Sequence, residues 1–298
     1  MIDDPPWHTG EVQYALRPKS EFRYRNLLEC IQYLLWQRAF VCHMLWEPVK
    51  IFNKDNERIY AEMNAGTWWW YHQVCSHNAF FSYPFAHVGQ TQIPVGSTLV
   101  PVLLASDQTH LTNFSGDKKL WPVYMSIRNI QATVLNKPIM NAWIPIALLP
   151  IPPKRLDKIP TYPAEAQDLD ALQITHEILS SILSPLSDAK SQEGIELVCC
   201  DEKVRKCIPK FSAWLADHME NVMIHGITSN RCPICIAPPD EFGELPDAPY
   251  DTRLHPRYDT AYHNSDVEQL ESDGVKNVNN ALWHILHCEP HEMGSRIP

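Results

Sequence analysis

A chain of 298 residues with 45% hydrophobic and 20% charged content is long enough to bury a core and too apolar for a disordered tail. Its formal net charge of −10 counts against a self-contained basic nucleic-acid binder, although a DNA-cutting domain can leave its basic surface to separate modules. Twenty-five prolines against ten glycines point to rigid connections and strand edges rather than flexible linkers.

Nine cysteines are scattered, with an adjacent pair at Cys199 and Cys200 and a CxxC at Cys232 and Cys235. The opening Met1-Ile2-Asp3-Asp4-Pro5-Pro6 has neither the basic nor the apolar part of a secretory signal. An odd cysteine count without such a signal favours reduced thiols, so the expected location is nuclear or cytoplasmic rather than secreted. The longest apolar run, near Trp143 to Ile151, holds Pro145 and Pro150 and is too short to cross a bilayer, so no membrane partner is expected.

In chain order, Leu27, Leu28, Ile31, Leu34 and Leu35 recur at three- and four-residue steps and predict a helix within Glu21 to Trp46. Glu57 to Gln73 continues in the same style into Trp68, Trp69 and Trp70. Three adjacent tryptophans cannot share one helix face, so they read as a plug at an irregular joint. From Ile93 the pattern turns to strands: Leu99 to Ala105, Trp121 to Ile130 and Trp143 to Ile151, the first two joined through Asn113, Ser115, Gly116 and Asp117. An antiparallel meander is expected there. Asp168 to Ala189 has helical spacing, and Ile195 to Cys200 and Val204 to Ala216 read as further strands. Beyond Cys235, five prolines within Pro238 to Pro256 mark a loop-rich acidic stretch.

Three strands, a helix and a strand is the order of an RNase H-like core, one of several assignments that the pattern alone allows. In such a core, a carboxylate just past a buried strand end sits on a rigid support that opens to solvent, which is what a metal-binding acid needs. Asp107 follows Leu99 to Ala105 in this way, and Asp217 follows Phe211 to Ala216. Together they would hold Mg²⁺ ions, which activate water and stabilise the leaving oxygen in phosphodiester cleavage. The plainer alternative is that each aspartate ends a strand and caps the next helix. Cys232-Pro-Ile-Cys235 has the spacing of half a Zn²⁺ site, with Cys207, His225, His255, His263, His287 and Cys288 as candidate partners; a pair of unpaired thiols fits equally well. Lys118 and Lys119 read as a solvated turn.

The run Ala105-Ser106-Asp107-Gln108-Thr109-His110-Leu111-Thr112-Asn113-Phe114-Ser115-Gly116-Asp117-Lys118-Lys119, with Trp121-Pro122-Val123-Tyr124 and Asn129-Ile130, closely resembles the signature of Plavaka transposases. These belong to the Kyakuja-Dileera-Zisupton assemblage of eukaryotic DNA transposons. Pro6-Trp7, Trp68-Trp69-Trp70, Leu148-Leu149-Pro150-Ile151-Pro152, His176-Glu177 and Asn230-Arg231-Cys232-Pro233-Ile234-Cys235 extend the likeness over roughly Pro5 to Pro238. The resemblance implies a fungal-type DDE nuclease that cuts transposon ends and joins them to target DNA with Mg²⁺ or Mn²⁺. Asp107 would be its first acid and Asp217 its second, with Asp201 as a rival. The family's last acid is expected in a downstream Asp-x-Leu-His context; the late glutamates Glu268, Glu271, Glu289 and Glu292 stand in no such context.

The expected architecture is therefore α+β: a helical N-terminal region over 1–92, a partial RNase H-like core over 93–237, and a loop-rich tail over 238–298, read as non-homologous from about Gly274. The expected function is that of an inactive fragment of a transposase truncated at both ends; the alternative is a host-retained, non-catalytic DNA- or protein-binding protein on the same fold. Compared with the family, Val74 to Gln90 is an insertion of 17 residues, and its removal joins Gln73 to Thr91. Valine codons begin GT and one glutamine codon ends AG, so the segment reads as a retained intron. Transcript sequencing is expected to recover messages lacking codons 74–90; a population of only unspliced messages would contradict this.

Overall fold

The computed structural model describes residues 3–15, 19–73, 96–111, 119–151, 163–188, 193–242, 250, 253 and 255–285. The inserted stretch 74–90 and the turn residues Asn113 to Asp117 lie outside them. The fold is mixed α+β, organised on one large curled sheet. Its strands are β1 (His8–Val12), β2 (Ser20–Tyr24), β5 (Thr98–Ser106), β6 (Thr109–His110), β7 (Lys119–Ile127), β8 (Ile144–Leu149), β9 (Ile195–Val198) and β10 (Val204–Leu215), in the order β1-β2-β8-β7-β5-β10-β9, with β6 paired to β7. A separate hairpin joins β3 (Ile51–Phe52) to β4 (Arg58–Ile59).

The strands β5, β7 and β8 form the expected antiparallel meander. Then α4 (Ala164–Ser187) crosses, and β10 returns parallel to β5. The strand β5 is central and covered on both faces, so it reads as a continuous apolar run rather than an alternating one. One face carries α1 (Leu27–Trp36) and α4, whose Leu34, Leu35, Ile178, Leu179, Ile182 and Leu183 pack into the main core. Elsewhere Trp69, on α2 (Thr67–Gln73), packs with Leu99 of β5 and Ile208 of β10.

The N-terminal region departs from the helical expectation. Residues 20–24 form β2, which pairs through Arg23 and Tyr24 with Leu148 and Ala147 of β8 and extends the sheet. The local signal was alternation: Phe22 is buried between exposed Glu21 and Arg23, a period of two. Asn26 marks where the helix starts, its side chain accepting from the backbone N–H of Leu28 and Glu29 at 2.9 and 3.3 Å. On the facing strand, glycine at position 10 leaves room for the Phe22 ring, which a Cβ there would meet at 2.3 Å and have to displace.

The triple tryptophan lies on α2, each ring with a different task. Trp69 is buried and donates to Gln73 at 2.6 Å, while Trp70 donates to the Val49 carbonyl at 3.0 Å and carries the Lys50 ammonium over its ring. Asn129 ties this region to the sheet. Its fully buried amide donates to the carbonyls of Leu45 and Leu99 at 2.9 and 3.0 Å, fixing the N-terminal segment against the start of β5.

The tail also differs from the loop-rich reading. Between residues 255 and 285 it forms α6 (His255–His263), α7 (Val267–Ser272) and α8 (Ala281–Ile285), numbered after α3 (Ala132–Leu135) and α5 (His218–Ile224). Tyr258, Ala261, Leu270, Val275 and Trp283 make a second apolar cluster with Val222 and Ile227, and Leu282 joins the main core. These helices are too short for a periodic pattern to stand out in the sequence. Among the described residues no helix is long and apolar enough to cross a membrane.

His176 on α4 is fully buried, and neither ring nitrogen has a hydrogen-bond partner among the described residues. Burial holds its pKa down at about 3, with His225 and Lys276 pushing the same way. The unfolded chain would take up this proton near pH 6.5, so the neutral form contributes stability that is intact above pH 6.5 and lost as pH falls toward 3. Between pH 6.5 and 5 the loss from His176 is about 2 kcal/mol. Urea unfolding at both pH values is expected to show His176→Leu losing that much less than the natural chain; equal losses would assign the acid sensitivity elsewhere.

Candidate active site

The parallel register of β10 on β5 ends at Leu215 opposite Ala105. Asp217 and Asp107 each lie two residues beyond that rung, so both leave the sheet at the same edge, on adjacent strands running in the same direction. Both are exposed. The register shifts between Phe211 and Ala213. The extra residue, Ser212, turns its hydroxyl to the Val102 carbonyl at 2.8 Å, a bulge that sets the course of the last turn of β10 before Asp217.

Asp217 also performs the plainer role. It is the N-cap of α5, its Oδ1 accepting from the Glu220 N–H at 2.7 Å, while Oδ2 makes no hydrogen bond among the described residues. Asp107 makes no hydrogen bond through either oxygen among the described residues. Asp201 stands at the other end of β10, roughly 35 Å away at the spacing of an extended strand. It is clamped by Arg205 through bonds of 2.7 and 2.8 Å, which hold its carboxyl down at about 2, and Arg205 stacks over Trp46. Asp201 is thus a brace of the β9–β10 turn, remote from Asp107.

The residue that sequence reasoning missed is Glu220. Asp217-x-x-Glu220 has capping-box spacing, in which the glutamate would reach back to the cap residue. Here only half of the box forms. The Glu220 side chain, 6% exposed, instead turns into the sheet edge, where Oε1 accepts from the Ser106 hydroxyl and from Trp121 Nε1 at 2.7 Å. Trp214 Nε1 in turn donates to Ser106 Oγ at 2.8 Å. The spacing was visible in the sequence, but nothing local announced that the partner is on β5.

The thiols Cys232 and Cys235 are close enough to hydrogen-bond each other. Burial first, then the neighbouring Cys232, pushes the Cys235 thiol up, against a pull from the Ala237 N–H. Their loop is anchored by buried Arg253, which donates to the Cys232 carbonyl at 2.5 Å and to the Asp273 carbonyl at 2.7 Å. Of the suggested partners, Cys207 is buried in β10 and His263 bonds to Asp259 on its own helix. The side chain of His255, together with His287 and Cys288, lies outside the described residues. Lys118 is also outside them, whereas Lys119 opens β7 opposite His110. Among the described residues no group of three or more His, Cys, Asp and Glu side chains could hold a metal ion. What the edge does offer is two exposed carboxylates, the hard oxygen donors that suit Mg²⁺ or Mn²⁺.

The capping role gives a stability contrast. Asp217→Ala is expected to cost about 1 kcal/mol in urea unfolding, and Asp107→Ala less than about 0.5 kcal/mol. Equal costs would mean that Asp107 too has a structural task.

Among known protein families, the one described as Plavaka transposase matches residues 1–295, nearly the whole chain and more than the Pro5 to Pro238 stretch that carries the sequence resemblance. No curated protein matches the chain.

Proposed function

This chain belongs to the Plavaka transposase family, and we propose that it supplies two carboxylates, Asp107 and Asp217, of a DDE-type site for metal-dependent cleavage of transposon-end DNA. The observation that carries the reading is the parallel pairing of β5 and β10, whose ends leave the sheet at one edge two residues before each aspartate. The order of elements supports an RNase H-like core: three antiparallel strands, a helix and, after the short β9, a strand parallel to the first.

The chain's own contribution is to hold two oxygen donors still. Strand β5 is buried on both faces, β10 is pinned to it through Ser212, and Asp217 is tied to the start of α5, so both acids stand on braced supports. Divalent ions, when bound, activate water and neutralise charge on the phosphate being cut. A DDE site uses three carboxylates around two ions. Two carboxylates, one with an oxygen engaged in capping, imply weak metal affinity and little strand cleavage by this chain alone. Zn²⁺ at Cys232 and Cys235 belongs to the proposal only as a structural ion on the Arg253-anchored loop. The second reading, a non-catalytic binding protein on the same fold, draws on the capping bond of Asp217, which gives that residue work without a metal.

A plasmid-nicking assay with Mg²⁺ or Mn²⁺ tests this. Nicking is expected to stay within a few-fold of background and to fall to background in Asp107→Ala. Rapid nicking abolished by that substitution would overturn the half-site reading in favour of a complete nuclease. Rapid nicking indifferent to it would overturn the site assignment.

A further inference from the structure

We infer that Glu220 is the positioning residue of the candidate site, a buried carboxyl that locks the strand end bearing Asp107 to the helix cap bearing Asp217. The inference rests on the metal-site reading above. Two bonds of one residue reach Asp217 and the residue next to Asp107. Through its side chain, Glu220 Oε1 accepts from Ser106, the residue immediately before Asp107. Through its backbone, its N–H donates to Asp217 Oδ1 at 2.7 Å.

The lock has further points of attachment. Trp121 Nε1 on β7 donates to the same Oε1 at 2.7 Å, and Trp214 Nε1 on β10 donates to the Ser106 hydroxyl at 2.8 Å. Asn221, next along α5, donates to the Ala216 carbonyl at 2.8 Å, bracing the segment that carries Asp217. Three adjacent strands and a helix are therefore joined through one carboxyl that is 6% exposed. No lysine or arginine hydrogen-bonds or pairs with it among the described residues.

A carboxyl is an expensive way to fill a buried corner, since it must be desolvated and a neutral amide could accept the same two hydrogen bonds. Its use here is geometric. It draws one indole and one hydroxyl to a single oxygen, with the second indole held on that hydroxyl, and by doing so fixes the exit directions of β5 and β10. Without it, the Trp121 N–H and the Ser106 O–H would be left without an acceptor in the sheet edge, and the residue before Asp107 would relax toward other partners. The acids themselves would remain, but no longer held in fixed mutual orientation.

The test is Mn²⁺ binding by the full chain, followed by electron paramagnetic resonance alongside thermal unfolding, for the natural sequence and for Asp107→Ala, Glu220→Ala and Glu220→Gln. Glu220→Ala is expected to weaken Mn²⁺ binding at least ten-fold. Glu220→Gln, whose amide oxygen accepts the same bonds, is expected to stay within about three-fold. A Glu220→Ala protein with a lowered melting temperature and unchanged Mn²⁺ affinity would overturn the inference, because a purely structural residue behaves that way. Glu220→Gln losing as much as Asp107→Ala would also overturn it, making Glu220 a ligand. Natural chain that binds no Mn²⁺, or binds it equally after Asp107→Ala, would overturn the metal-site reading itself. Should Glu220→Ala not fold, Trp121→Phe removes one of the two donors. A weakening of about three-fold supports the lock, and no change contradicts it.

Discussion

The parallel pairing of β5 with β10 is the constraint on which the rest of the molecule depends. Parallel neighbours need a long crossover, and here the chain supplies one with β7, β8, α4 and β9 before β10 returns beside β5. The pairing buries β5 on both faces, which explains its unbroken apolar sequence, and it forces both strands to end at the same edge. Everything of chemical interest sits there. Asp107, Asp217, Ser106 and Glu220 come from segments more than 100 positions apart, yet each is within a few residues of those two strand ends.

At that edge a helix cap coincides with a proposed metal-binding acid. Asp217 was open to two readings, helix cap or metal acid, and the cap is made. The cap and the proposed metal role are compatible, since capping engages Oδ1 and leaves Oδ2 without a hydrogen bond among the described residues. What decides the arrangement is Glu220. In a full capping box its carboxyl would fold back onto its own helix start; here it crosses to β5 and β7 instead, and the helix start is tied to the sheet.

How much of this was legible in the sequence depends on the range of the interactions. The meander and α4 could be read because β5, β7, β8 and α4 are long and strongly patterned. The hairpin of β1 and β2 was hidden by the stronger helical pattern that begins three residues later at Leu27, although Phe22 between Glu21 and Arg23 carries the period of two. The helices α6 to α8 were hidden by their brevity and by the proline-rich stretch ahead of them. Asp107 and Asp217 were identified from local position, each following an apolar run. Asp201 shared that local logic, and only the pairing of β10 reveals that it lies at the far end of the strand, held by Arg205. Glu220 could not be assigned because its partners, Ser106 and Trp121, are about a hundred residues away in sequence and next to it in space.

The central claim is that Asp107 and Asp217 form one metal-binding edge. Fe²⁺ with ascorbate and peroxide generates short-lived oxidants that cut the backbone only beside the bound ion, so it reads out both strands in one experiment. The account predicts paired cuts near residues 107 and 217, suppressed by excess Mg²⁺ and both lost in Asp107→Ala. Cutting confined to the neighbourhood of Asp201 or of Cys232 and Cys235, or cuts at 217 that persist after Asp107→Ala, would contradict it.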